Sequence, residues 1–124
     1  SNPTLLATTT FLATGNTGLD TDVQGESMCT TYTGIPPCGN SSSSTIPAAE
    51  QEFATANLAY GAGTDLSSTT PQEIEINVPK STATSTQANG DAYWGIAVPG
   101  SITFAGDYTG ENTFTAIVGE TGEW

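Results

Sequence analysis

Residues 92–118, "AYWGIAVPGSITFAGDYTGENTFTAIV", decide the fold. Two runs of β-branched and aromatic residues flank the Pro99-Gly100 break, and Gly106 stands just before Asp107 and Tyr108. In the first run Trp94, Ile96 and Val98 share one face of an extended strand. Proline has no N–H for a ladder, so Pro99 ends it. In the second run, from about Tyr108 to Val118, alternation turns Phe114, Ala116 and Val118 inward and Thr113, Thr115 and Ile117 outward. The segment "AGDYTG" suits the corner by which a late strand enters a β-sandwich. Gly106 permits a tight bend there, and Tyr108 buries its ring while its hydroxyl bonds to backbone.

The rest of the chain extends this pattern. "QEIEINVP" (72–79) alternates cleanly, with Ile74, Ile76 and Val78 inward and Glu73, Glu75 and Asn77 outward. "LDTDVQG" (19–25) places Leu19, Thr21 and Val23 on one face and Asp20 and Asp22 on a wet acidic one. "TLLATTTFLAT" (4–14) reads as a strand with an irregularity at Leu5-Leu6, and "GNTG" (15–18) as a turn. From Glu52 to Tyr60 the shared parity of Ala54, Ala56, Leu58 and Tyr60 predicts a strand, with a short helix as the alternative. Residues 39–50 and 80–91 read as flexible polar loops. The sum is one all-β domain over residues 1–124, a single antiparallel Ig-like β-sandwich of about six to seven strands.

Composition restricts function. Thirteen acidic side chains face one base, Lys80, for a net charge of −12. Such a surface repels phosphate backbones and anionic lipid, which argues against a nucleic-acid partner. No run approaches the roughly 18 apolar residues of a membrane span, and no basic-then-apolar leader is present, so the chain reads as processed or excised. With no histidine there is no imidazole base and no His metal ligand. A Ser-Lys dyad or an isopeptide bond would have to use Lys80, which sits in a polar loop. The acid pairs Asp20/Asp22 and Glu73/Glu75 could in principle serve glycoside hydrolysis, but they read as solvated strand faces that discourage edge pairing. The chain is therefore read as a non-enzyme.

Two cysteines, Cys29 and Cys38, bracket "TTYTGIPP" and are expected to form a disulfide, which points to an oxidising, extracytoplasmic setting. Asn40 in "NSS" fits an N-glycosylation sequon. Calcium is the one cofactor considered. Its candidate ligands are Asp20, Asp22 and Glu26, with Asp107 and Glu111 flanking the Tyr108 corner, although no EF-hand spacing exists. Tyr60, Tyr93, Trp94 and Trp124 are candidates for a sugar platform, with Trp94 assigned by its parity to the core.

A wider pattern runs through Gly15, Asn16, Asp20, Gly25, Met28 and Cys29, then Gln51, Phe53 and Thr55, then "INVPK" (76–80), "YWGIAVPG" and "AGDYTGENTF" (105–114). Over roughly residues 8–118 this resembles the Ig-like modules at the ends of long secreted surface proteins of candidate-phylum (Patescibacteria-type) bacteria. More distantly it resembles filament-forming β-sandwich proteins of the camelysin/TasA type. The resemblance implies a secreted, cell-surface sandwich and transfers no catalytic residue. It also implies a further apolar strand ahead of this segment, whose absence would leave an open groove. An open groove invites a strand from another chain. The expectation is a structural subunit of an extracellular filament or surface layer, built head-to-tail from copies of itself. Leu5, Phe11 and Trp124 are the candidate assembly contacts, and residues 1–14 an exchanged or edge strand. The alternative is an adhesive module binding glycan or a host surface.

Overall fold

The computed structural model describes residues 5–31, 38, 43–83 and 85–124. The described strands are β1 (Ala7–Leu12), β2 (Leu19–Gly25), β3 (Met28–Cys29), β4 (Thr45–Ile46), β5 (Gln51–Ala54), β6 (Thr64–Asp65), β7 (Gln72–Val78), β8 (Asn89–Ile96) and β9 (Asn112–Val118). A four-stranded sheet in the order β1-β8-β5-β6 faces a three-stranded sheet in the order β7-β2-β9, and β3 and β4 form a separate ribbon. Every pairing among the described residues is antiparallel. The fold is thus all-β and sandwich-like. Val23, Phe53, Leu66, Ile74 and Ala92 fill the space between the sheets, with Phe11, Ile76 and Trp94 packed around them. Among the described residues no helix is long and apolar enough to cross a membrane.

The alternation in "QEIEINV" is realised as read: Ile74 and Val78 are buried while Glu73, Glu75 and Asn77 are exposed. The corner also forms. Tyr108 donates its hydroxyl to the Phe104 carbonyl, four residues upstream, at 2.8 Å. Gly106 sits at φ +154°, where a side chain would be strained.

Several expectations are corrected. The strand from Glu52 to Tyr60 ends at Ala54, and its buried apolar residue is Phe53, of the opposite parity. Beyond Ala54 the chain doubles back to β6 through Gly61 (φ +93°), whose N–H is held by the buried Glu52 carboxylate at 2.7 Å. Residues 39–50 are no uniform polar loop: β4 and a 3-10 turn over Ala48–Glu50 lie within them, and Ile46 and Ala48 are buried. The last two residues of 80–91 with Asn89 belong to β8. That strand stops at Ile96, before the Pro-Gly break, so Val98 is exposed rather than inward. β9 begins at Asn112, with Tyr108 ahead of it in the corner; Thr109 meets Cys29 in an isolated bridge.

Cys29 and Cys38 are joined, with their Cα atoms 5.8 Å apart. Cys29 also exchanges both backbone bonds with Thr109, so the disulfide is tied to the segment that leaves the Tyr108 corner. Closing a loop of this length restricts the unfolded chain by about 2–3 kcal/mol. The double substitution Cys29→Ala/Cys38→Ala is expected to lose that amount in urea denaturation, and a loss under about 0.5 kcal/mol would contradict the constraint.

Candidate functional site

The site begins at the edge of the smaller sheet. β9 pairs with β2 and with no other strand among the described residues. The register sets Val23 opposite Phe114, Thr21 opposite Ala116 and Leu19 opposite Val118. Residues directly opposite share a face, so all six point at the other sheet. Val23 and Thr21 are fully covered, yet Phe114 is 40% and Val118 63% exposed. The far edge of the same sheet differs: on β7, Ile74 and Val78 are each 1% exposed.

The asymmetry has a structural cause. β7 lies beneath β8, where Gly90 lets Ile76 and Val78 approach its backbone. β9 lies beneath β1, the last strand of the larger sheet, and β1 reaches it mainly through one ring. The Phe11 and Phe114 centroids are 5.6 Å apart and those of Trp94 and Phe114 5.5 Å, both edge-to-face. To one side of this aromatic clamp is a hollow of about 310 Å³ lined by Leu12, Leu19, Ala116 and Val118. To the other is one of about 220 Å³ lined by Ala7, Met28, Trp94 and Ile96. β1 and β9 therefore flank an interrupted channel: two hollows parted by the clamp, in which apolar side chains predominate beside Thr14 and Thr17 in the first and Gln51 and Asn112 in the second.

The residues singled out from sequence fall into place around it. Leu5 is fully buried, donates its N–H to Leu58 and packs against Gly95, within its own protomer. Phe11 is part of the aromatic clamp. Residues 7–12 form an edge strand, paired antiparallel with β8. Trp124 folds back, its Nε1 donating to the Gly119 carbonyl at 2.9 Å. Trp94 packs between Phe53 and Phe114, so it is a core ring and not a displayed platform. Lys80 is exposed. Asn40 lies outside the described residues.

A second constellation was not legible. Asp20, expected on a wet face, is fully buried. The reason is an irregularity in β7: Leu19 pairs with Val78 and Thr21 with Ile74, so three residues, Glu75 to Asn77, oppose the single Asp20. Asn77 takes φ +55°, a left-handed conformation that asparagine tolerates, and its N–H bonds to Asp20 Oδ1 at 2.8 Å. Its side chain closes the turn by donating to the Glu75 carbonyl. Glu75 on the bulge and Glu120 just beyond β9 complete a cluster: carboxylate oxygens of Asp20, Glu75 and Glu120 lie within 4.8 Å of one another. Burial pushes the Asp20 carboxyl up, the Asn77 N–H opposes this, and the nearby Glu120 raises it further. Glu73 is raised as well, by desolvation and then by Glu75, Asp20, Glu120 and Asp22. The acids that join Asp20 are thus neither Asp22 nor Glu26, the neighbours in sequence, but Glu75 from the bulge in mid-β7 and Glu120 from beyond the end of β9.

No known protein family, curated protein or solved structure matches the chain.

Proposed function

We propose that the protein is a structural subunit of a secreted extracellular filament or cell-surface layer, joined to its neighbours by β-strand addition at the β9 edge. The observation that carries this is the exposure of Phe114, Ala116 and Val118 on the side of β9 that faces the other sheet. Core-facing apolar side chains left in water beside an unpaired strand edge favour an extra strand. Each large side chain so covered contributes about 1.5–3 kcal/mol at full burial, and the ladder adds directional hydrogen bonds.

The occupant is a second copy of the chain. Like charges oppose the approach of two copies, each at −12, so the inserted segment has to be neutral. Residues 1–19 carry no charged side chain, and within them β1 is held, among the described residues, by a single partner strand. The neighbour's N-terminal segment is therefore the donor. Donation to the β9 edge of the next copy is heterologous, and where the rotation between copies does not close into a ring it propagates as a fibre. If β1 instead stayed home and paired edge-to-edge, the β1 and β9 edges flanking one channel would satisfy each other reciprocally in a two-fold dimer.

Negative-stain microscopy of the concentrated, purified chain tests the reading, with size-exclusion chromatography beside it. Filaments are expected. A dimer that does not grow would overturn the filament, and a strict monomer would overturn strand addition as well.

A further inference from the structure

We propose that Asp20, Glu75 and Glu120 form a calcium site on the outer face of the three-stranded sheet. The three offer carboxylate oxygens within 4.8 Å of one another. Proximity of acids alone would not make a site; the state of Asp20 is the second observation. Its side chain is completely removed from solvent. One oxygen is held by the Asn77 N–H. The other, Oδ2, is buried with no geometrically satisfied hydrogen bond among the described residues, and the Glu120 carboxylate in reach of Asp20 is itself an acceptor unless one of the pair holds a proton. A buried carboxylate oxygen without a partner is costly, and a cation bound by the cluster removes the cost.

The chemistry of the donors selects the ion. All are hard carboxylate oxygens; the chain has no histidine, and its two cysteines are in the disulfide, so soft and borderline metals lack their ligands here. Three carboxylates supply three to six oxygens depending on denticity, and water completes the six to eight that calcium takes. Magnesium demands a tighter octahedron and gives up water reluctantly, so it is the weaker ligand. Two of the three carboxylates sit at the surface, which places affinity in the range of extracellular modules, a dissociation constant of about 10⁻⁴–10⁻³ M. Asp20 lies on β2, Glu75 on β7 and Glu120 just after β9, so one ion would tie together all three strands of this sheet.

The test is thermal unfolding of the chelator-stripped chain. About 10 mM calcium is expected to raise the midpoint by about 5 °C, well beyond the effect of equal magnesium or of sodium chloride at matched ionic strength. Glu75→Gln/Glu120→Gln changes only surface-exposed acids, so it keeps the fold, and it is expected to abolish the calcium-specific rise. An equal rise with magnesium or matched salt would mean charge screening only and overturn the site. A calcium-specific rise that survives in the double variant would place the ion elsewhere and overturn it too, as would no rise at all. Filament formation enters none of these readouts.

Discussion

Replacing Val118 with lysine, or separately with glutamate, is expected to abolish assembly and leave the protomer folded. Val118 is 63% exposed, so the isolated domain loses little by the change; substitutions at such positions stay within about ±0.5 kcal/mol. In the assembled state the same side chain would be enclosed by the incoming strand, in a hollow walled by Leu12, Leu19 and Ala116. Covering a charge there without a partner costs several kcal/mol, and each 1.4 kcal/mol is about tenfold in affinity. A loss of at least about 100-fold in the tendency to associate follows. Testing both signs separates burial from charge complementarity, since only burial penalises lysine and glutamate alike. Thr115→Lys, on the opposite face of the same strand, is the control and is expected to assemble. Normal filaments from both Val118 variants would show that the channel is not the joint.

The inward parity of Phe114, Ala116 and Val118 was legible because alternation belongs to the strand itself. Their exposure was not, because it depends on how far the other sheet extends over them, a property of strand order. The same limit explains Asp20. Its parity placed it outward, which is where it points; its burial comes from a bulge in β7 and from Glu120, distant in sequence. Nothing in "EIEIN" marks Glu75 to Asn77 as irregular, although an asparagine where a left-handed residue is needed makes sense afterwards. Ile46 and Ala48 were hidden behind the run Ser41–Ser44, and Phe53 within helix-forming neighbours. The Tyr108 corner was readable because its geometry is nearly local, the hydroxyl reaching only to Phe104.

The channel and the acid cluster share a frame. Leu19 and Val118 line the larger hollow, and the next residue of β2 is Asp20, whose cluster includes Glu120, two residues past Val118. The same ends of β2 and β9 thus support an apolar surface on one face of the sheet and the acidic group on the other. A cation on the outer face would hold β9 in place while its free edge accepts a strand. Stabilisation of the protomer and competence for assembly would then be linked through β9.

Gly90→Ala is expected to be among the most damaging single-methyl changes in the domain. Residues 80–91 read as a flexible polar loop, yet Gly90 lies inside β8 opposite Phe11. A β-carbon there would collide with Ile76 Cγ2 and stand 2.9 Å from Val78 Cγ2 and 3.3 Å from the Ile76 carbonyl. Neither neighbour yields easily: both side chains are β-branched and stiff at χ1, and Ile76 lies within the bulge that holds Asp20 while Val78 adjoins it. The sheets must separate or β7 must shift. Overpacking of this kind costs about 1–3 kcal/mol, and two rigid contacts put Gly90 at the upper end. For a chain of this size that is a fall of about 12 °C in midpoint. Gly15→Ala is the control, since nothing lies within 4 Å of its added carbon. Adding Ile76→Ala to Gly90→Ala removes the nearest obstacle, so the double variant should cost less than the sum of the singles, a coupling of about 1 kcal/mol or more. If Gly90→Ala unfolds within a degree or so of the parent, β8 and β7 are not in close contact. The covered edge at β7, against which the open edge at β9 is defined, would then lose its basis.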